Sequence, residues 1–583
     1  MRDAAILTRR RILSVLLLTL FFCMFSFLPK KSSLLPLIQA NWKSGLTVAL
    51  ISIPLSIALS IASGAGPIPG IITGIWATLI AAIFGGNNFN VIGAAGALAT
   101  VLFAATLSAP FGLGASALPL IALATGIIIL GIYAIGADRF LYYIPGSVMY
   151  GFASGVAVSI AAGELFDATG LSFMERTGTF LGDVALYVQH AGETNFSALI
   201  TFAVFLAGIL LWKRYVKKLP AVIPAAIFGV GFGFLDVHLF HVGLISLGEK
   251  FGGISGSLFL PVSWSSFGPV ITTANGLSWL FGVAGTVALI GVLETLITAK
   301  IADRITRTQS SSRQELLGLA LANIGSGIMG GLPATGVFIR TGANIQSGAT
   351  HRTSSAIAAI ATAIIAIIVL PAFVFIPMAV IAAILVNTAL GLIEIHRFKE
   401  YWKYERVSFC IAILVAVITI LKDAGTGVIV GSTLALLFFA DSVARGRFDA
   451  VFNFDNGEKE EIRGSKILHL PKERTISVLT YSIAGTLGYI DAERHAENLR
   501  HALHNPEVKN IIVRLRNLFS LDHEGVTMLA EIAEESRRVG KPLRFSSASK
   551  TITDQLRALP NFSENEGDLF SEKTEEALAK LLA

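Results

Sequence analysis

The chain has 583 residues, 54% of them hydrophobic and only 14% charged, with 56 glycines. Soluble domains carry about a quarter charged residues, so this composition is that of a membrane protein and excludes a single soluble fold. The formal net charge of +6 calls for no nucleic-acid partner, because a membrane domain gathers Lys and Arg on its cytoplasmic side.

Residues 1–29 open the chain with "RRRILSVLLLTLFFCMFSFLP", a basic start and apolar core of signal-peptide type. A cleaved signal or an extra span would put residue 30 outside and invert every later loop against the charge rule. Residues 1–43 are therefore read as an N-terminal cytoplasmic or interfacial segment, with a signal or an over-long start as the alternatives.

Apolar stretches of helix-spanning length follow at about 46–62, 68–84, 94–108, 116–136, 146–166, 196–212 and 221–235. After a polar stretch at about 236–279, a second set runs at about 280–299, 316–330, 335–346, 354–370, 374–392, 408–421 and 426–442. Seven and seven predict fourteen spans as two inverted repeats, since an odd number of spans makes the second half enter the membrane upside down. The basic loops "WKRYVKKL", "KIADRITRTQSSSR" and "HRFKEYWKYER", with Arg139 and Arg352, then all fall on the cytoplasmic side. The opposite loops hold only Arg176, Lys250 and Lys422 among acids such as Asp167, Glu175 and Asp183.

Two stretches are broken at corresponding places, "FNVIGAAGALATVLF" (89–103) and "GGLPATGVFIRTGAN" (330–344). Glycine and small residues let each remain extended to mid-membrane before a short helix begins. Non-helical backbone is tolerated there only where it lines a polar cavity or is buried in protein. Each half-helix would offer free N–H groups and its positive dipole end to an anion, although close helix packing alone also favours such glycines. Arg340 in the second break has two readings, attraction of the anion or anchoring by snorkelling. Glu294, in the apolar run "VALIGVLETLITAK", is a costly residue inside a span and so a functional candidate. It shares a helix face with Thr298 and is placed to take up a proton; the alternative is a permanently protonated structural acid. Glu164 is read as a wet, interfacial residue.

The run "RQELLGLALANIGSGIMGGLPATGVFIRTGANIQSGATHRTSS" (313–355) resembles the most distinctive stretch of the SulP (sulfate permease) anion transporters. The matching residues include Glu315, Asn323, Pro333, Thr335, Gly336, Arg340, Thr341 and Asn344. "SGLTVALISIPLSIAL" (44–59) is similar to the family's first span and "YGFASGVAVSIAAGELFDATGL" (150–171) to its fifth. The resemblance implies a fourteen-span fold of core and gate domains over 44–445, broken in spans three and ten, that moves its anion by an elevator-like shift. It implies substrate contacts from Pro54, Leu55 and Ile57, from Gly93, Ala94, Ala95, Gly96 and Ala97, and from Gly336, Val337, Phe338, Ile339 and Arg340. Glu294 and Thr298 would serve the coupling ion, and glutamate there is what proton-linked members carry, where sodium-linked bicarbonate transporters carry aspartate. Three departures stand out: Leu55 replaces a common glutamine, Ile92 to Gly96 replace Ser-Gly-Pro-Thr-Gly, and Ile339 replaces a serine. They remove hydroxyls, leave backbone N–H groups to do more of the binding, and weigh against sulfate.

After a linker at 446–464, "TISVLTYS", "NIIVRLR" and "PLRFSS" read as strands, with "DAERHAENLRHALH" and "EGVTMLAEIAEESRRVG" as amphipathic helices. This small α/β domain, 465–583, resembles the STAS domain that ends most SulP chains. In its loop "LDHEG" (521–525), His523 and Glu524 stand where related regulators carry phosphorylatable serine, so a dimerisation or trafficking role is expected. No CxxC or His/Cys cluster accompanies Cys23 and Cys410, so neither a metal nor a cofactor is expected, and no enzyme site is assembled.

The expected function is secondary active transport of a small anion (bicarbonate, sulfate or dicarboxylate) across the inner (plasma) membrane, coupled to protons or by exchange. The expected partners are the lipid bilayer and a second copy in a homodimer, with the N-terminus and STAS domain cytoplasmic. A sodium-coupled bicarbonate importer is the alternative within transport, and a voltage-responsive or scaffolding membrane protein the alternative outside it.

Overall fold

The computed structural model describes residues 31–582 except 137–144, 175, 217–218, 253–258, 261, 445–447, 465–467, 472–473 and 558–568. The expectations for residues 1–29, Arg139 and Glu175 lie outside the described residues. Two compact units divide the chain, residues 1–433 and 434–583.

Each apolar stretch holds a helix. In the first set these are α1 (Lys31–Ala62), α2 (Pro67–Phe84), α3 (Gly96–Leu107), α4 (Leu118–Ala134), α5 (Gly146–Gly163), α6 (Phe196–Tyr215) and α7 (Val222–Leu235). In the second they are α8 (Ala274–Thr306), α9 (Ser312–Ile328), α10 (Phe338–Gln346), α11 (Thr353–Val369), α12 (Met378–Leu392), α13 (Arg406–Leu421) and α14 (Ala424–Ala444). Among the described residues, ten helices are long and apolar enough to cross a membrane. The helices α3 and α13 are shorter apolar ones, and α10 has only 9 residues.

Local chemistry sets the ends. Pro67 opens α2, where its missing N–H costs nothing, and Ser311 caps α9 by accepting the Gln314 N–H. The helices pack in two groups. In one, α9 lies on α2 and α4, α11 on α1 and α2, and α8 on α4; in the other, α13 lies on α5 and α12 on α5 and α6. The α1–α2 contact depends on Gly70, where an added Cβ would stand 2.1 Å from the Ser56 carbonyl oxygen.

Two two-residue strands, β1 (Ile92–Gly93) and β2 (Thr335–Gly336), pair antiparallel in the register Ile92 with Gly336 and Gly93 with Thr335. The ladder sits immediately before α3 and α10, so both broken stretches are tied together at the point of their breaks.

The second unit holds a six-stranded sheet in the order β4-β3-β5-β6-β7-β8. Its strands are β3 (Phe448–Phe454), β4 (Lys459–Gly464), β5 (Ile476–Leu487), β6 (Val508–Leu521), β7 (Leu543–Ser546) and β8 (Phe570–Ser571). The stretch 446–464 thus carries the hairpin β3–β4, antiparallel to β5. Helices α15 (Ala492–His504) and α16 (His523–Val539) pack a core that includes Phe452, Tyr481, Leu499, Val513 and Ile532. After α17 (Lys550–Arg557), α18 (Thr574–Leu582) packs Ala577 on Val478 and Ile512 of the other face. Asp522 caps α16 by accepting the Gly525 N–H at 2.9 Å, which suits the helix dipole.

Candidate anion site at the broken segments

Irregular backbone at this depth needs its polar groups satisfied, and side chains from neighbouring helices do so. Glu315 of α9 accepts the N–H groups of Gly86 and Asn87, each at 2.7 Å, and the Asn90 side-chain amide at 2.7 Å. Thr341 accepts the Val91 N–H at 3.0 Å, and Asn344 donates to the Phe89 carbonyl at 3.0 Å. On the second break, Asn323 brackets Ala334, donating to its carbonyl at 2.9 Å and accepting its N–H at 2.8 Å. Thr295 accepts the Gly336 N–H at 2.8 Å.

The helix starts differ from this pattern. Neither Ala95, preceding α3, nor Val337, preceding α10, offers a side-chain cap. Among the described residues, first-turn N–H groups at the two helix starts are therefore left without side-chain partners, next to the β1–β2 ladder, at a buried start in α3 and at a start in α10 where Phe338 is exposed. Uncapped helix starts favour an anion. The flank of α3 is apolar: an ideal Cβ on Gly96 would meet Ile160, Leu392 and Leu59 at 3.6–3.7 Å.

Arg340 is the third residue of α10 and is fully buried. Snorkelling to an interface is thereby excluded. Its Nη2 donates to Ser56 Oγ of α1 at 2.9 Å, while Nε and Nη1 make no hydrogen bond among the described residues. The guanidinium passes beneath β1, for an added Cβ on Gly93 would lie 2.1 Å from Nη1 and one on Gly74 4.0 Å from it. No acid pairs with it among the described residues. A cation this deep without a counter-ion is expensive and gives the site a positive field.

The chain matches the sulfate permease family over residues 38–415 and the STAS domain over 469–577. It belongs to the sulfate permease family. Among the chain's relatives, the protein YvdB of Bacillus subtilis (strain 168) is 26% identical over 502 residues, 86% of this chain and 89% of that one. The bicarbonate transporter BicA of Picosynechococcus sp. is 26% identical over 422 residues, 68% of this chain and 70% of that one. The solved structure of a murine Solute Carrier 26 anion transporter, Slc26a9, in the inward-facing state shares the fold, with a TM-score of 0.76 at 14% identity, covering 96% of this chain and 94% of that one.

The remaining expected site residues are only partly gathered. Glu294 is half-buried and accepts the Thr335 hydroxyl at 3.1 Å. Thr298 turns to the Gly336 carbonyl at 3.3 Å, so its hydroxyl holds backbone. Leu55 and Ile57 are buried. Pro54 instead lines an apolar groove of about 350 Å³ with Ile53, Ile223, Ile227 and Phe373. Ser56, between them, is the residue of α1 that reaches Arg340. A signal for it was present: Ser52, Ser56 and Ser60 recur every fourth residue through an apolar helix and are all buried. Glu315, Asn323, Thr341 and Asn344 stood in the family signature with no role assigned, and the structure gives them one in holding the breaks.

Glu164 corrects its expectation. It is 2% exposed, with Oε2 unpartnered among the described residues. Arg176 covers it, pressed against Gly163, paired with Asp183 at 3.3 Å and seated 4.2 Å from the Phe103 ring centroid. Lys250 pairs nearby with Asp167 at 2.8 Å. Arg176, Lys422, Thr286 and Thr100 line a cavity of about 260 Å³ that runs along α3 from Thr100 toward Ser108.

Proposed function

We propose that this permease is a secondary active transporter of a small anion, bound between the starts of α3 and α10 and coupled to a proton carried by Glu294. The observation that carries the reading is the pair of uncapped helix starts joined at one ladder, with Arg340 buried and without a counter-ion beside them. The substrate's negative charge would offset that cation, while the N–H groups replace part of its hydration shell. Glu294, tied to β2 through Thr335, would sense the same charge, since gaining a proton there changes the field at the ladder. Leu55, Ile92 and Ile339 supply no hydroxyls, which favours bicarbonate or a carboxylate over sulfate, an anion that wants many donors. Family membership and the relatives' names support anion transport.

Fourteen spans in two inverted repeats would place both helix starts at mid-membrane. The two helix groups would then act as core and gate and carry the anion by an elevator-like shift. With the basic loops inside, the N-terminus and STAS domain would face the cytoplasm of a plasma-membrane homodimer. A sodium-coupled bicarbonate importer is the second reading, favoured by the likeness to BicA; Glu294 favours protons.

Uptake of labelled bicarbonate, sulfate and fumarate into proteoliposomes tests this, under inward proton and then sodium gradients, with Glu294→Gln beside the native chain. Proton-driven uptake of one anion, abolished in the variant, is expected. Sodium-driven uptake that survives the substitution would transfer the reading to the importer. Absence of all uptake would return the protein to a scaffold role.

A further inference from the structure

A short helix, Ile395–Tyr404, joins α12 to α13. Its sequence "IHRFKEYWKY" mixes aromatic and charged residues, and none of its 10 residues is buried. Ring contacts nevertheless pin it to the membrane unit. The Tyr401 ring centroid lies 6.2 Å from that of Tyr150 in α5, and Phe398 and Trp402 stand edge-on to Phe409 of α13 at 6.4 and 5.0 Å. Tyr150 and Phe409 both belong to the first two turns of their helices. The helix therefore lies across one end of the group that α5, α12 and α13 form, the end that the charge rule gives to the cytoplasm.

The cations of this segment fall into two sets. Arg397 is held by two acids, Glu394 at 3.7 Å and Glu400 at 2.9 Å. Lys399, Lys403 and Arg406, the last at the start of α13, are exposed and make no ion pair among the described residues. At helical spacing Ile395, Lys399, Trp402 and Lys403 share one edge, with Arg397 and Glu400 on the other side. Ile395 is 63% exposed and Trp402 59%. Arg406 joins the same edge, its guanidinium 5.7 Å from the Trp402 ring centroid.

Such an edge suits neither bulk water nor hydrocarbon. Ile395 and Trp402 would leave apolar surface bare in water, and the charges are too many for the bilayer interior. The boundary between the two accommodates both. Indole rings settle at headgroup depth, while lysine stems lie along apolar surface and lift their ammonium groups outward. Three cations without acids then face the layer of lipid phosphates. A zwitterionic headgroup brings its own cation, whereas an anionic one supplies the charge that the protein withholds.

We propose that the edge formed by Ile395, Lys399, Trp402, Lys403 and Arg406 docks on anionic phospholipid of the leaflet at this end. The inference needs the unit to lie in a bilayer and is independent of which anion it carries.

The full-length chain would be reconstituted in phosphatidylcholine vesicles holding a small share of brominated phosphatidylglycerol or, in parallel, of brominated phosphatidylcholine. Bromine on the acyl chain quenches the indoles it touches, and the part due to Trp402 is the difference between the native chain and Trp402→Phe. At equal share, the anionic lipid is expected to quench that part more than the neutral one does, with the preference shrinking as salt rises. Lys399→Gln with Lys403→Gln, measured with and without Trp402→Phe, should remove most of the preference, roughly fivefold for each lysine near an anionic surface. Both lipids should still reach Trp402 in that variant. Lys422→Gln, in a loop of the opposite side, should leave the preference unchanged. Equal quenching by the two lipids in the native chain, or a preference that survives the double substitution, would overturn the proposal. So would absence of Trp402 quenching by either lipid, which would mean that a second copy or another segment of protein covers this edge.

Discussion

Two arginines set the regions of this chain against each other. Arg500 on α15 is 35% exposed and meets Glu493, Glu531 and Glu535, each at 3.3 Å. Arg340 on α10 is fully buried and, among the described residues, has one neutral hydrogen-bond partner, Ser56. A surface arginine keeps most of its hydration whatever it pairs with, so three acids around Arg500 contribute little. A buried one has lost its water, and its charge must be answered from within the fold or by a ligand. Arg500 shares its charge with three acids at the surface, whereas Arg340 holds its charge inside the fold.

That contrast can be broken most directly at Arg340. Arg340→Gln should lower anion uptake by roughly two orders of magnitude, as removing a preorganised charge does, with the protein still inserted and folded. Uptake within a few-fold of native, measured in proteoliposomes, would mean that the buried charge does not serve the anion.

Gly93→Ala tests how Arg340 is held. The new Cβ would fall 2.1 Å from Nη1, so the guanidinium or β1 must move, at a cost of about 2–3 kcal/mol from overpacking. Gly96→Ala, whose Cβ would meet nothing nearer than 3.6 Å, should cost far less. Thermal unfolding of the two variants in detergent should separate them; equal midpoints would contradict the packing described.

The sheet unit also buries an imidazole, and burial favours its neutral form. His495 is 1% exposed; its Nδ1 lies 2.8 Å from the Tyr481 hydroxyl, and Asp491 is 4.0 Å from Nε2. Burial lowers its pKa from 6.5 to about 4. The unfolded chain therefore takes the proton first. Stability is fully present above about pH 6.5 and is lost as pH falls toward 4, about 2 kcal/mol of it by pH 5. Hydrogen exchange along β5 in the full chain, corrected for intrinsic rates, should report this loss, and His495→Phe should flatten it.

The smallest effect should come from Arg500→Ala, at most about 1 kcal/mol with uptake unchanged. A larger loss in an unfolding assay would erase the contrast from the sheet side.

Much of the membrane unit was legible because its signals are local. Apolar length marks a helix, and a run of Gly, Pro and small residues marks where one cannot continue, so stretches 89–103 and 330–344 could be read as broken without a neighbour in view. Strands β5, β6 and β7 of the tail followed for the same reason, since apolar runs of strand length announce themselves residue by residue. By contrast, β3 and β4 lay in the stretch read as a linker and show themselves only by pairing with each other and with β5. Glu164 failed that test. Its position near a helix end suggested water, but the chain folds back and lays Arg176 over it, an arrangement no local pattern encodes.

By itself, then, the sequence determined where helices run and break, which residues are charged at depth, and that a sheet domain follows. Only the tertiary structure decided that Ser56 rather than its neighbours meets Arg340, and that Glu315 and Asn323 hold the two breaks. Each of these joins residues far apart in the chain. Their meeting depends on how helices and strands register against one another, and that is fixed by packing rather than by local sequence.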